Sequence, residues 1–242
     1  MGPAGLRILS LARPEKRNAL TRDMLRDLLG ALEGASREPE VRAILLLGDG
    51  PSFCAGVDLH EFSAGDPESG RELIGLLAAV CSAVRTLPQP VGIAIQGHCL
   101  GGALELAACC DFRVCTPDAQ LGMPEVHLGI PSVIDAVMLE RHIGVSRAHE
   151  LLLVGDPISG QTAFDWGFVN RLAPAELLVP VASKLLGQVT RHDPAVIAAQ
   201  KALHRDWLNS PYDTAVQRSI ESLIEAFRAG RPQRLARERL SR

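Results

Sequence analysis

The segment Val91-Gly92-Ile93-Ala94-Ile95, with Gly97-His98-Cys99-Leu100-Gly101-Gly102 after it, constrains this chain more than any other. Five apolar residues between Pro90 and a glycine cluster read as a buried strand. The glycines turn the chain into an apolar helix, expected over Ala103 to Cys110. The first N–H groups of a helix lack internal partners and carry the positive end of its dipole. Glycine there lets an oxygen come close to the backbone, so the junction suits an anion or a developing oxyanion. It is not a phosphate-binding P-loop, since no Lys-Ser/Thr pair follows, and it lacks the GxGxxG spacing of dinucleotide folds. Tight packing of strand against helix would call for the same glycines.

Glu105 adds chemistry to this junction. It lies one helical turn past Gly102 and shares its side of the helix. Leu104, Leu106, Ala107 and Ala108 surround it, a costly setting for a lone carboxylate. A carboxyl held in a dry pocket has a raised pKa and works as an acid or base near neutral pH. The competing reading is an N-terminal capping box. A second carboxylate, Glu125, sits in Leu121-Gly122-Met123-Pro124-Glu125-Val126, where a surface-loop role would serve equally. The stretch Ser52-Phe53-Cys54-Ala55-Gly56-Val57-Asp58-Leu59 follows the apolar run Val41 to Leu47. A small-residue bend there would expose the Val57 N–H beside a strand end. Two backbone donors from separate loops, aimed at one point, make an oxyanion hole.

The rest of the chain supplies a frame. Leu6 to Leu11 reads as a strand, and Thr21 as the cap of a helix with the stripe Met24, Leu25, Leu28, Leu32. Asp66 to Gly70 reads as a polar loop, followed by a helix to Leu87 that Pro88 and Pro90 end; Phe112 to Cys115 reads as a strand. From Ser132 onward the pattern is almost all helical, with Ser146 and Ser159 as caps and Gly144, Gly155 and Gly167 as stops. With 242 residues, one mixed α/β domain is expected, its core over 1–185 and a helical region over 186–242. A net charge of −3 argues against general nucleic-acid binding, which needs a basic surface. Arg228, Arg231, Arg234, Arg237, Arg239 and Arg242 crowd the last fifteen residues, as a solvated helix face or as a phosphate or subunit contact. The six cysteines form no CxxC pair and accompany no HExxH, so reduced, buried thiols in a cytoplasmic protein without a metal site are expected. Met1 to Leu11 has no signal-peptide core, and no apolar run has the ~20 residues of a membrane helix.

Four segments in order resemble the crotonase superfamily, the enoyl-CoA hydratase/isomerase group. Arg13-Pro14-Glu15-Lys16-Arg17-Asn18-Ala19-Leu20 is similar to its "RPxxxNAL" segment, Phe53 to Leu59 to its "FxAGxDL" loop, and Gln96 to Gly102 to its glycine turn; Glu105 and Glu125 fall on the two catalytic glutamates of the hydratase branch. The resemblance implies a spiral of repeated ββα units with a helical C-terminal trimerisation region, assembled as a trimer or a dimer of trimers. It implies an acyl-CoA thioester substrate and no cofactor beyond that substrate's CoA. It makes the Val57 and Gly102 N–H groups the oxyanion donors. Lys16, Arg17, Ala55, Asp58, Leu59, His60 and Gly101 become contacts of CoA or its acyl group, with the Ala55 backbone at the adenine. The implied reaction adds water to a 2-enoyl-CoA, giving a 3-hydroxyacyl-CoA. The rivals are a Δ3-Δ2 enoyl-CoA isomerase, which needs one carboxylate, a thioester hydrolase, and a non-catalytic CoA-binding scaffold. Two departures stand out. After Glu125 the hydratase type runs to Pro-Gly-Ala-Gly-Gly; here the stretch is Gly129-Ile130-Pro131-Ser132-Val133-Ile134-Asp135, with Val133 and Ile134 at glycine positions. Asp135 adds a third carboxylate, read as a helix N-terminal aspartate. The family's aromatic tail that covers the adenine is replaced by Leu235-Ala236-Arg237-Glu238-Arg239-Leu240, where arginine stacking could serve instead.

Overall fold

The computed structural model describes residues 5–63 and 66–241. Arg242 and the first four residues of the N-terminal stretch read above lie outside that range. In chain order the elements are β1 (Leu6–Leu11), α1 (Arg22–Arg37), β2 (Ala43–Gly48), α2 (Leu59–Ser63), α3 (Pro67–Thr86), β3 (Val91–Ile95), β4 (His98–Leu100) and α4 (Gly102–Cys109). They continue with β5 (Phe112–Cys115), β6 (Gln120–Gly122), a 3-10 turn (Pro124–Leu128), α5 (Val137–Ile143), α6 (Val145–His149), β7 (Ile158–Ser159), α7 (Gly160–Asp165), β8 (Arg171–Leu172), α8 (Ala175–Thr190), α9 (Pro194–Asn209), α10 (Tyr212–Arg228) and α11 (Arg231–Leu240).

Two sheets organise the spiral. The larger is parallel throughout, in the order β1-β2-β3-β5-β8; the smaller runs β4-β6-β7, with β7 antiparallel to β6. The chain crosses from the larger to the smaller sheet twice in the same way. β3 passes through Gln96-Gly97 to β4 and then α4, and β5 passes to β6 and then the 3-10 turn. This repeated step is the ββα unit of the expected fold.

Strand alternation decides which layer each side chain joins. Ile44, Leu46, Ile93 and Ile95 face α1, α3 and α4, where Leu25, Leu32, Leu73, Leu77 and Leu104 are buried with them. Ala43, Leu45, Ala94 and Val114 face the opposite way, onto Leu178, Ala182 and Leu186 of α8. Each such leucine, taken fully out of water, contributes roughly 2 kcal/mol. α4 is buried on every side, Glu105 included, so the helix that carries the site is the centre of the core.

Several expectations need correction. Asp66 and Pro67 do not make a loop: the Asp66 side chain accepts from Ser69 N–H at 2.8 Å and Pro67 opens α3. Proline at the first helical position loses no hydrogen bond, so the pair is a start signal rather than a break. Ser146 lies inside α6, which Gly144 precedes, whereas Ser159 does cap α7. The region after Ser132 is not wholly helical, since β7 and β8 extend the two sheets. The division at 185/186 falls within α8, a core helix; the run of helices beyond the core begins at α9.

The loop from Asp49 to Val57 is fastened from within by Asn18. Its amide Nδ2 donates to the carbonyls of Asp49 at 2.9 Å, Ser52 at 2.9 Å and Phe53 at 3.1 Å, and its Oδ1 accepts from Arg13 N–H at 2.8 Å. Asn18 is fully buried, so removing the amide leaves these backbone groups without partners. Asn18→Ala should lower the unfolding free energy by about 2–3 kcal/mol, measured by urea denaturation.

Candidate active site

Two loops meet where β4 ends. Leu20 N–H donates to Gly56 O at 2.8 Å and Asp58 N–H to Leu20 O at 2.9 Å. That parallel bridge turns the N–H of the intervening Val57 away from Leu20, and it finds no partner among the described residues. On the other loop, Gly101 N–H donates to Gly122 O at 2.8 Å, while the N–H groups of Leu104 and Glu105 return to Gly101 O. Gly102, the first residue of α4, is left with its N–H unpaired among the described residues, as expected of a helix start. A Cβ on Gly102 would lie 3.6 Å from Val57 Cγ2, so the two donors belong to one place.

Both glutamates reach the same place. A cavity of about 290 Å³ is lined by Val57, Gly101, Gly102, Glu105 and Glu125 among apolar side chains. Glycine at 101 is what admits Glu125, because a Cβ there would sit 2.6 Å from Glu125 Oε1, at φ +55°. Glu105 is 2% exposed, and its Oε1 has no hydrogen-bond partner. Burial, then the charges of Glu125 and Asp135, push its pKa up to about 8 against the pull of the Ala136 and Val133 N–H groups. Burial also raises Glu125, opposed by its own backbone N–H and by the Ser132 hydroxyl, which donates to Oε2 at 3.3 Å. The pair can therefore carry one proton at neutral pH. A larger cleft of about 690 Å³ lies on the far side of α4, beside α5 and α9, and neither glutamate lines it.

The wall between the carboxylates and α5 is unusual. Ile134 holds φ +52°, the left-handed region that β-branched residues rarely enter. Asp135 is buried, pairs with Arg85 of α3, and leaves Oδ2 without a partner. The Sγ atoms of Cys81 and Cys109 lie within 4.8 Å of its carboxylate. A hydrogen bond with Cys109, followed by burial, pushes the Cys81 thiol well up, so it stays protonated.

An unpaired donor pair beside two carboxylates in an apolar cavity is an arrangement suited to a developing oxyanion. The sequence profile of the enoyl-CoA hydratase/isomerase family matches residues 2–229. The chain belongs to the enoyl-CoA hydratase/isomerase family. It is 33% identical to a crotonyl-CoA hydratase of Syntrophomonas wolfei over 90% of this chain and 84% of the relative. It is 35% identical to an enoyl-CoA isomerase/hydratase of Mycosarcoma maydis over 81% of this chain and 76% of the relative. The crystal structure of an enoyl-CoA hydratase from Polaromonas sp. JS666 superposes with a TM-score of 0.94 at 28% identity, covering 100% of this chain and 95% of that one.

Set against this family's pattern, the expected site residues divide. Ala55, Val57, Leu59, Gly101, Gly102, Glu105 and Glu125 line the cavity. Lys16 and Arg17 lie on an exposed turn beside it, where the Arg17 carbonyl accepts from Ala55 N–H at 2.9 Å. His60 is exposed on α2 and does not line the cavity. Asp58 is occupied structurally: its buried carboxylate pairs with Arg13 and accepts from His60 N–H at 2.9 Å. Burial raises its pKa, but the Arg13 and backbone hydrogen bonds outweigh that and leave it lowered. Sequence reasoning missed Arg85, Phe62, Ile74 and Leu77. The last two follow the α3 stripe and could have been found from it; nothing in the sequence pairs Arg85 with Asp135, fifty residues away.

The raised pKa of Glu105 has a sign that can be checked. A carboxyl whose folded pKa exceeds its unfolded value stabilises the fold at low pH, and that contribution disappears as pH rises from the ordinary 4.5 through about 8. Glu105→Gln should therefore raise Tm more at pH 8.5 than at pH ~4, measured by thermal unfolding of both proteins across that range.

Proposed function

We propose that this cavity hydrates a 2-enoyl-CoA, forming a 3-hydroxyacyl-CoA. The observation that carries the reading is the meeting of two unpaired backbone N–H groups with two glutamates in one apolar cavity. The thioester oxygen accepts from Val57 and Gly102, which draws electron density from the double bond and makes the β carbon electrophilic. Glu105 and Glu125 hold one water between them. As its oxygen bonds the β carbon, the π pair moves to the thioester oxygen; one glutamate takes the water's proton and the other supplies a proton to the α carbon. No metal or organic cofactor is needed. An isomerase would use the same hole with one carboxylate, and the presence of Glu125 against Gly101 favours hydration.

The same reading places Lys16, Arg17 and the Ala55 backbone along the CoA moiety, outside the acyl cavity. It also places this protein in the cytoplasm as a trimer or hexamer. Six free, buried thiols suit a reducing compartment, and no helix among the described residues is long and apolar enough to cross a membrane. α10 leaves Ile220, Leu223, Ile224 and Phe227 between 44% and 54% exposed on one face, a row suited to another copy of the chain. Sedimentation at micromolar concentration should give three or six chains; a 25.9 kDa species would contradict the assembly.

Gly102 offers the sharpest test of the chemistry. A Cβ there would meet Leu77 Cδ2 at 2.5 Å, so any substitution forces that leucine aside and a packing control is required. Gly102→Ala adds the Cβ and keeps the N–H; Gly102→Pro adds it and deletes the N–H. The proline variant should hydrate crotonyl-CoA roughly a hundredfold more slowly in kcat than the alanine variant, about 3 kcal/mol of transition-state stabilisation. Equal rates in two folded variants would remove Gly102 from the oxyanion hole.

A further inference from the structure

Three buried side chains that the hydration chemistry does not use meet beside the core helix. Cys81 comes from α3, Cys109 is the last residue of α4, and Asp135 belongs to the segment before α5. The two Sγ atoms and a carboxylate oxygen all lie within 4.8 Å of one another. Arg85 takes Oδ1 of Asp135, while Oδ2 is buried without a hydrogen-bond partner. An orphaned carboxylate oxygen at 3% exposure calls for an explanation. Cys109 and Arg85 also line the cleft of about 690 Å³, which gives the cluster a path from solvent. Two sulfurs and one carboxylate are a donor set that Zn²⁺ accepts. With Zn–S about 2.3 Å and Zn–O about 2.0 Å, a tetrahedron needs S···S near ~3.8 Å and S···O near ~3.5 Å. Movements of less than about 1 Å per side chain bring the cluster to those spacings.

We propose that Cys81, Cys109 and Asp135 form a structural binding site for a thiophilic divalent cation of the Zn²⁺ class, with Arg85 holding the carboxylate from behind. As the cation enters, both thiols lose their protons to solvent and two metal–sulfur bonds form. The orphaned Oδ2 supplies the third bond, and water from the cleft completes the shell. Two thiolates, one carboxylate, the Arg85 guanidinium and a divalent cation sum to zero, so the buried cluster takes up the ion without gaining net charge. Arg85 fixes the orientation of the ligating carboxylate, as outer partners of metal ligands do. One ion would thereby tie α3, α4 and the segment before α5 together. No step of the hydration passes through it, and the site stands or falls independently of that reaction. Cysteine spacing gives no sign of it, because the donors come from three separate elements rather than one CxxC turn. Cys110, next along the chain and equally buried, instead turns its thiol to the Leu106 carbonyl at 3.4 Å.

Co²⁺ is the probe, added to the reduced, chelator-treated full chain. Thiolate-bound Co²⁺ gives an ultraviolet charge-transfer band that Co²⁺ on surface histidines or carboxylates does not. One equivalent should bind with that band, release about two protons read by an indicator in weak buffer, and be displaced by Zn²⁺. Cys81→Ala and Cys109→Ala should each weaken binding by roughly a hundredfold or more, whereas Cys110→Ala should leave affinity and band unchanged. Zn²⁺ should raise the Tm of the wild-type protein and of Cys110→Ala, but not that of Cys81→Ala or Cys109→Ala. Co²⁺ bound without the band is an adventitious cation only, and that result overturns the proposal; so does a band that survives in both Cys81→Ala and Cys109→Ala. Should those variants not fold, cadmium-113 NMR of the wild-type protein counts the thiolates on the bound ion. Two thiolates sustain the site, and fewer overturn it.

Discussion

Placing a carboxyl in the middle of a core helix imposes a debt on everything around it. α4 is buried at all eight positions, and Glu105 is its only ionisable side chain apart from the Cys109 thiol. A charged carboxylate in such a place is expensive unless it is hydrogen-bonded or neutralised. Burial, then the charges of Glu125 and Asp135, outweigh the pull of the Ala136 and Val133 N–H groups and raise its pKa to about 8. The architecture around α4 serves to hold this group while leaving it an opening on one side. The five-stranded sheet backs it, α3 and α5 flank it, and the open side is the cavity.

Backbone geometry completes the site at the same spot. Gly101 admits the second carboxyl, Gly102 offers its N–H from a helix start, and Asn18 fixes the loop that brings Val57 alongside. Each of these is a local consequence of the chain: a left-handed glycine, an unpaired first turn, a buried amide with several carbonyls to satisfy. None makes an active site alone. They meet because the Leu20–Val57 and Cys54–Cys99 bridges draw three distant segments together.

Much of this was readable in the sequence, for reasons that differ by residue. Strand β3, the glycine turn and α4 were legible because apolar runs and glycines act locally. The joint placing of Glu105 and Glu125 came from the resemblance, since nothing in their spacing alone brings the 3-10 turn onto Gly101. Asp66-Pro67 was misread because proline ends one helix and opens the next with equal ease. Asp135 was visible as a third carboxylate, but its partner Arg85 was not. Ion pairs across fifty residues leave no periodic trace, and only the packing of α3 against the segment before α5 reveals them. Asp58 shows the reverse case: its position in the matched loop suggested substrate contact, and its burial with Arg13 gives it a structural task.

Ile134 carries a consequence for how such a protein can change. A β-branched residue with φ near +52° stores strain of order 1–3 kcal/mol that its surroundings must hold in place. Its stiff backbone also narrows the unfolded ensemble relative to glycine, which offsets part of that strain. The segment from Ser132 to Ala136 presents Val133 to the cavity and the Ser132 hydroxyl to Glu125. Trimming this wall would therefore loosen the hydroxyl that holds Glu125 as well as enlarge the cavity. The shape of the cavity and the setting of Glu125 are written in one short segment, and a change in either alters the other.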